Sequence, residues 1–219
     1  QGYLVGELVR RITGLSLGTY FKENVASKVD ADFHIGLDPS EFDRTAQIIT
    51  GGPMEMPDDV EIPQFYLDNL DGTPELTEET WNGAGWRQTE SPAANGHSNA
   101  RAVVRAQTAV ANDGVAFGVQ LLTPQTIARI FEDQGVIAGV GSNHGIGYGL
   151  GVGIGGLEAS GAPAGTKACF WGGAGGSSIV VDLSHRACFS YVMNQMSNDL
   201  LGDVRARTLA QHFYAGLGS

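Results

Sequence analysis

The residues best suited to chemistry form a glycine-rich turn that begins at Trp171. The stretch Trp171-Gly-Gly-Ala-Gly-Gly-Ser177 holds four glycines within five residues, interrupted only by Ala174. Glycine permits positive φ and lets another group approach the backbone closely. A backbone N–H at such a place can donate to a developing oxyanion. Because a two-residue hairpin needs only one or two glycines, the pattern favours a functional loop over a plain turn.

The chain offers no nucleophile paired with a base. It contains neither a Ser-x-x-Lys nor a Gly-x-Ser-x-Gly motif. Ser177 and Ser178 follow the turn without an adjacent base and are predicted to start a strand. Lys167 is predicted to be a solvated residue at a strand end. The residues alone therefore predict one chemical element, a backbone oxyanion site after Trp171.

The histidines and cysteines do not form a metal-binding pattern. No two of the five histidines have His-x-x-x-His spacing. Cys169 and Cys188 lie in apolar runs, where free thiols are the expected state and a disulfide is the minority alternative. We therefore predict no metal site and no cofactor.

The composition argues against nucleic-acid and membrane partners. The 219 residues carry a net charge of −11, with no basic face for phosphate, so nucleic acid is not an expected partner. No apolar run approaches the roughly 20 residues that cross a bilayer, so no membrane contact is expected. Free cysteines, with no signal peptide in these residues, favour a cytoplasmic location.

The periodic patterns predict helices around a sheet. Helices are expected over 2–13, 16–27, 98–112, 123–133 and 197–214, and strands over 147–154, 165–171, 177–183 and 187–194. The closing helix is expected to carry its apolar residues in helical register, at Leu200, Leu201, Val204, Leu209 and Phe213. The short links between strands indicate an antiparallel meander. The fold class is therefore α/β of the α+β type, an antiparallel sheet flanked by helices.

The chain is predicted to have three parts. Residues 1–37 form the helical start of the main domain, 38–97 an irregular inserted lobe, and 98–219 the helices and meander. In the proline-rich lobe, Phe65, Tyr66, Trp81 and Trp86 could wall a pocket, although simple packing is the more frequent role. His97 could border a pocket from the turn Asn95-Gly-His-Ser-Asn99, although an exposed loop histidine is the more frequent outcome. Trp86 and His97 are the candidate substrate-binding residues.

The order of motifs resembles the C-terminal two-thirds of the serine β-lactamase and penicillin-binding-protein-like hydrolases, nearest to the family VIII carboxylesterases. Four pieces carry the resemblance: Gly2-Tyr-Leu-Val-Gly-Glu-Leu-Val-Arg-Arg-Ile-Thr-Gly14, Asp32-Phe-His-Ile-Gly-Leu37, Asn95-Gly-His-Ser-Asn-Ala-Arg101 and Phe170-Trp-Gly-Gly-Ala-Gly-Gly-Ser177. Each piece alone is weak, and the set is fairly specific. It implies a β-lactamase/transpeptidase-like fold that lacks its N-terminal portion.

The resemblance also assigns roles at the turn. The family's strand motif is Lys-Thr-Gly in β-lactamases and Trp-x-Gly in family VIII esterases, and Trp171-Gly172-Gly173 matches the esterase form. Ala174 would then supply a backbone N–H to the oxyanion hole. Because Trp171 replaces a cation that would hold a β-lactam carboxylate, neutral esters are the expected substrates, with weak β-lactam hydrolysis as an alternative.

The family's nucleophile is missing from these residues. Its Ser-x-x-Lys and tyrosine motifs would precede Gln1, together with the first strands of its sheet. Without them one sheet edge and one helix face would be bare, so the chain is not expected to fold alone. The expected partner is the missing N-terminal segment, either bound after a nick or simply outside this sequence.

Three hypotheses follow, in this order. The first is a serine esterase whose remaining residues are elsewhere. The second is a non-catalytic binding or scaffold protein of the same fold. The third sets the resemblance aside and takes an acidic α/β interaction module, which a structure without a helix-flanked antiparallel sheet would favour.

Overall fold

The computed structural model describes residues 2–51, 77–137, 146–147, 149, 152–197 and 203–218. Its α-helices are α1 (Gly2–Thr13), α2 (Leu17–Phe21), α3 (Glu78–Asn82), α4 (Ala84–Gln88), α5 (Ala100–Ala111), α6 (Pro124–Ile130) and α7 (Val204–Leu217). A π-helical turn (Lys22–Ala26) and a 3₁₀ turn (Ser27–Val29) extend α2, and further 3₁₀ helices cover Pro39–Arg44 and Leu157–Ser160. None of the helices in these ranges is both long and apolar enough to cross a membrane.

Short strand pairs surround one longer sheet. The strands are β1 (His34–Ile35), β2 (Gly96–His97), β3 (Val115–Ala116), β4 (Val119–Gln120), β5 (Val136–Ile137), β6 (Ile146–Gly147), β7 (Ala168–Gly172), β8 (Ser178–Asp182) and β9 (Ala187–Tyr191). Strands β7, β8 and β9 form an antiparallel meander in which Phe170, Val180 and Phe189 lie side by side. The predicted meander and its last turn over 182–186 are confirmed. The strand predicted over 147–154 is described only in part, with Gly153 bridging Phe170.

Helices cover both faces of this sheet. Successive strand residues point to opposite faces, so Phe170 and Val180 pack with Tyr214 of α7 on one side. Cys169 and Val181 pack with the end of α5 on the other. The predicted fold class, an antiparallel sheet flanked by helices, is confirmed. Both cysteines are free, as expected.

Local signals set the helix starts where the sequence indicates them. The side chains of Ser16, Asn99 and Thr123 each accept a hydrogen bond from the first turn of the helix they precede, α2, α5 and α6 respectively. Gly14 follows α1 with a φ of +78°, as predicted for a C′ glycine. Helix α6 ends at Ile130 rather than near residue 133.

The closing helix differs from its predicted bounds, and of the predicted apolar set that the structure describes only Phe213 packs against the core. Helix α7 begins at Val204, not at Ser197, and buries Ala206, Ala210 and Tyr214. Val204 and Leu209 are exposed, and Leu200 and Leu201 lie outside the described residues. The alanines face inward because α7 packs closely against the backbone at Gly161. A Cβ added to Gly161 would lie only 2.9 Å from the Ala210 Cβ, so there is no room for a larger side chain.

Helix α1 presents an exposed apolar face. The helix buries none of its residues. Leu4, Leu8 and Ile12 are 73%, 59% and 82% exposed. Within the described ranges β9 also pairs with β8 alone. One helix face is therefore exposed, and one sheet edge has no partner strand in the part of the chain that the structure describes.

Part of the segment predicted to be an irregular lobe, residues 77–90, contains two short helices. Helices α3 and α4 follow each other within it, and Thr77 caps α3 by accepting from the Thr80 N–H. Phe65 and Tyr66 lie outside the described residues.

A candidate oxyanion site at the Trp171 turn

The glycine-rich turn joins β7 to β8. Trp171 and Gly172 are the last residues of β7, and Gly173 and Ala174 stand at the head of the turn. The Gly173 N–H donates to the Ser177 carbonyl, and the Gly176 N–H donates to the Gly173 carbonyl, both at 3.0 Å. Two internal hydrogen bonds therefore hold the turn.

Ala174 lies at the exposed tip of this turn. Its N–H donates to no acceptor among the residues that the structure describes. Within the described residues the Gly175 N–H has no acceptor either, while the Gly173 and Gly176 N–H groups are paired. The turn therefore leaves donors at its tip for solvent or a ligand, which an oxyanion site needs.

The rear of the turn packs against a later segment of the chain. Gly175 and Gly176 have φ values of +92° and +105°. A Cβ on Gly175 would lie 2.8 Å from the methyl group of Met193 and 2.8 Å from the Cγ of Met196. The Ser197 N–H donates to the Gly175 carbonyl at 2.9 Å. Both glycines are therefore required by close approach as well as by their backbone angles.

That later segment is paired with residues 47–50. Ile49 forms a parallel bridge with Gln195. The Ile49 N–H donates to the Asn194 carbonyl, and the Met196 N–H donates to the Ile49 carbonyl, both at 2.8 Å. The Asn194 side chain also donates to the Gln47 carbonyl at 3.1 Å. We call residues 47–50 the strap.

Asn82 at the end of α3 holds the strap from the other side. Its Oδ1 accepts from the Ile48 N–H at 2.8 Å, and its Nδ2 donates to the Ile48 carbonyl at 2.9 Å. The same Nδ2 donates to the Glu78 carbonyl at 2.8 Å. A continuous set of hydrogen bonds therefore runs from α3 through the strap to the glycine-rich turn.

Trp86 lies in α4, half-buried. Its ring meets that of Trp81 edge to face, with centroids 4.6 Å apart. Its carbonyl accepts from Asn95 Nδ2 at 2.8 Å. These contacts are the packing of α3 against α4 and the bond from Asn95 to α4.

His97 is not the exposed loop histidine that the sequence favours. It lies in β2 opposite His34 and is half-buried. Its Nδ1 is buried and has no hydrogen-bond partner among the described residues. Burial lowers the pKa of His97, and the nearby Arg87 charge adds to this, so the neutral imidazole is favoured.

The structure brings together only part of the predicted site. Trp171, Gly172, Gly173 and Ala174 are consecutive, whereas Trp86 and His97 belong to α4 and the β1–β2 pair. Two surface cavities of about 430 and 200 Å³ are lined by other residues. The larger lies beside α7 and the smaller between α1 and α2.

The described residues supply no cation or metal cluster in the motif itself. Lys167 is exposed at the opposite end of β7, as predicted, with its Nζ 5.5 Å from the centre of the Phe131 ring. No group of three or more His, Cys, Asp or Glu side chains in the described ranges is placed to hold a metal ion. The motif therefore offers hydrogen-bond donation rather than a charge.

Sequence reasoning missed the residues behind the turn. Asp203, Asn82 and Asn194 lie far from Trp171 in the chain and belong to no motif. Asp203 had one usable signal, because an aspartate directly before an apolar run is a helix start. Asn82 and Asn194 had none, since their partners are backbone atoms of distant segments.

Comparison with known proteins identifies relatives of this arrangement. Residues 1–212 match the family model described as Beta-lactamase. A penicillin-binding protein homologue from Caulobacter crescentus is 32% identical, with a TM-score of 0.83 over 98% of this chain and 56% of its own. A family VIII carboxylesterase is 29% identical, with a TM-score of 0.84 over 97% of this chain and 56% of its own.

A third structure shares the fold at lower identity. EstA from Arthrobacter nitroguajacolicus is 22% identical, with a TM-score of 0.77 over the whole of this chain and 59% of its own. The chain thus spans somewhat more than half the length of these solved relatives. No significant match was found among curated proteins.

Proposed function

We propose that this chain, which belongs to the beta-lactamase family, is the charge-stabilising part of a serine hydrolase that cleaves carboxylic esters. The Ser-x-x-Lys nucleophile and the tyrosine motif would lie outside these residues. The observation that carries the proposal is the Trp171-Gly-Gly turn, whose exposed Ala174 N–H has no acceptor among the described residues. The likeness to a family VIII carboxylesterase supports the same reaction.

The reaction would pass through an acyl-enzyme. The serine Oγ attacks the ester carbonyl carbon, and its proton passes through the Lys/Tyr pair to the departing alcohol. The carbonyl oxygen becomes negative in each tetrahedral intermediate, where the Ala174 N–H would donate to it. Water then cleaves the acyl-serine bond and releases the carboxylic acid.

Trp171 favours neutral esters over β-lactams. A lysine at this position would offer a cation to a substrate carboxylate, and an indole cannot. Within the described residues, Arg205 stands behind the turn but is paired with Asp203. We therefore expect neutral esters as substrates, with Trp86 and His97 as candidates for contacts to them.

The assay uses the complete protein that carries this chain. Hydrolysis of a short-chain p-nitrophenyl ester, with loss of activity and a mass adduct after a serine-directed phosphonate, supports the proposal. Absence of both hydrolysis and adduct contradicts it and favours a non-catalytic binding protein of the same fold.

Weak β-lactam hydrolysis is the second candidate. The observation in its favour is the 32% identity to the penicillin-binding protein homologue. A penicillin that acylates the same serine as the phosphonate, with slow release, would support it. Ester hydrolysis without any penicillin adduct would exclude it.

We further propose that the residues supplying the nucleophile cover the exposed face of α1. Leu4, Leu8 and Ile12 offer an apolar stripe for which no cover exists among the described residues. A denaturing intact-mass spectrum of the protein tests how those residues are joined. A second polypeptide carrying Ser-x-x-Lys indicates a nicked hydrolase, and one longer species indicates a continuous chain. A single 23.0 kDa species without a serine nucleophile overturns both proposals.

A further inference from the structure

One buried carboxylate touches the glycine-rich turn from behind. Asp203 is 1% exposed. A Cβ placed on Gly176 would lie 2.2 Å from Asp203 Oδ2 and 3.1 Å from the hydroxyl of Ser197. The Asp203 side chain is therefore in contact with the Gly176 backbone, and any larger residue at position 176 would push the two apart.

The carboxylate is held firmly in that place. Its Oδ1 accepts from the backbone N–H groups of Arg205 at 2.7 Å and Ala206 at 3.1 Å, which caps α7. Its Oδ2 accepts from the Arg205 guanidinium, with 2.8 Å to Nε. Burial opposes its ionisation, but these hydrogen bonds outweigh burial and hold the pKa of Asp203 below its usual value.

Arg205 in turn is fixed to the segment behind the turn. Its Nη2 donates to the Gln195 carbonyl at 3.1 Å, and its guanidinium lies 5.7 Å from the centre of the Tyr191 ring in β9. Gln195 is the residue that bridges Ile49 of the strap. Asp203 thus caps helix α7 and, through Arg205, is connected to β9 and to the residue that pairs with the strap. All of these contacts lie beside Gly176.

We propose that Asp203 is a positioning residue that fixes the glycine-rich turn, and through it the Ala174 N–H, in the geometry for oxyanion donation. The inference rests on the proposed function. An oxyanion donor acts at about 2.7–3.1 Å, so a small shift of the turn weakens it. The internal bonds of the turn fix its shape and the Ser197 N–H holds the Gly175 carbonyl, whereas the contact of Asp203 with Gly176 sets its distance from α7.

The competing account is that Asp203 only caps α7. Serine and asparagine both cap helices, so Asp203→Ser and Asp203→Asn keep that role. Both remove the ion pair with Arg205. Asparagine keeps the volume against Gly176, and serine leaves a gap there. The difference between the two variants therefore measures the contact with the turn.

Asp182 is the matched control. It is also 1% exposed, and its carboxylate accepts the His185 N–H at 2.9 Å. It lies at the end of β8 opposite to the glycine-rich turn. Asp182→Ser therefore disturbs a buried, hydrogen-bonded carboxylate of the same sheet without touching Gly176.

The experiment measures kcat and KM for a p-nitrophenyl ester with the complete protein. Asp203→Ser is expected to lower kcat about 10-fold or more with KM within about twofold, because a misplaced donor affects the transition state. Asp203→Asn and Asp182→Ser are expected to keep kcat within about threefold. Equal loss in Asp203→Ser and Asp203→Asn, or no loss in Asp203→Ser, overturns the inference.

A second readout separates this inference from the proposed function. Amide ¹⁵N–¹H shifts of Ala174 and Gly175 should move in Asp203→Ser and stay in Asp182→Ser, even if the wild type hydrolyses no ester. Unmoved shifts overturn the inference. If Asp203→Ser does not fold, Gly176→Ala disturbs the same contact, because the added methyl group would clash with the Asp203 carboxylate. Gly165→Ala is its control, since Gly165 also has a positive φ but no atom lies near its Cβ position. An equal effect of the two alanine variants on the turn amides overturns it as well.

Discussion

Replacing Ala174 by proline would remove the proposed oxyanion donor with little change to the backbone. Residues 173–176 form a turn in which the Gly176 N–H donates to the Gly173 carbonyl. Gly175 at its third position has a φ of +92°. Glycine with positive φ there is typical of a type II turn, whose second position accepts proline readily. Ala174→Pro therefore deletes one N–H at a site suited to proline.

The chain contains a matched control at Ala164. The Thr166 N–H donates to the Pro163 carbonyl at 3.4 Å, and Gly165 has a φ of +79°. Ala164 is exposed and occupies the same turn position as Ala174. Proline at a compatible site stabilises a protein by about 0.4–1 kcal/mol, so neither variant should lower the free energy of unfolding.

The expected loss of activity follows from the number of donors removed. Loss of one oxyanion donor costs about 10²–10³ in kcat, or roughly 2.7–4 kcal/mol of transition-state stabilisation. Ala174→Pro should show this loss at nearly unchanged KM, and Ala164→Pro should match the wild type. The assay is steady-state hydrolysis of a p-nitrophenyl ester, with urea denaturation as the check on folding. A folded Ala174→Pro variant with kcat within about threefold of Ala164→Pro would refute the assignment of this N–H.

Further predictions concern the strap, the thiols and α1. Asn82→Ala removes both hydrogen bonds to Ile48 and should speed amide exchange at Ile49 and Met196. Asn24→Ala, which removes a single bond within a helical segment, should not, and unchanged exchange in Asn82→Ala would contradict the coupling. Burial raises the pKa of the Cys169 and Cys188 thiols to about 12, from an ordinary value of 9.0. Unfolding therefore releases protons between pH 9 and 12, so the free energy of unfolding should fall as the pH rises above 9. Cys169→Ala should flatten that fall in urea titrations, and an identical slope would count against burial of the thiol. Leu8→Asp on the exposed face of α1 should lower the free energy of unfolding of the complete protein by about 2 kcal/mol or more if that face is covered. Arg11→Asp on the same helix should change it by less, and equal small effects would mean that the face is open to solvent.

The sequence alone determined the elements whose causes are local. Ser16, Asn99 and Thr123 precede their helices because an oxygen two or three residues before a free N–H can accept from it wherever the helix packs. The meander of β7, β8 and β9 was readable because short links between apolar runs leave antiparallel pairing as the simple outcome. The order of short motifs was sufficient to place the chain in its family and to single out the turn after Trp171.

The tertiary structure decided what depends on distant partners. Helix α7 buries alanines because it packs closely against the backbone at Gly161. The positions of its leucine and valine residues do not predict that contact. Gly176 must be glycine because Asp203 occupies the space of a side chain, a contact between residues separated by a full strand pair. The strap binds the side chains of Asn82 and Asn194 through its backbone N–H and carbonyl groups. Every residue has these backbone groups, so the sequence does not show which ones a distant asparagine will bind.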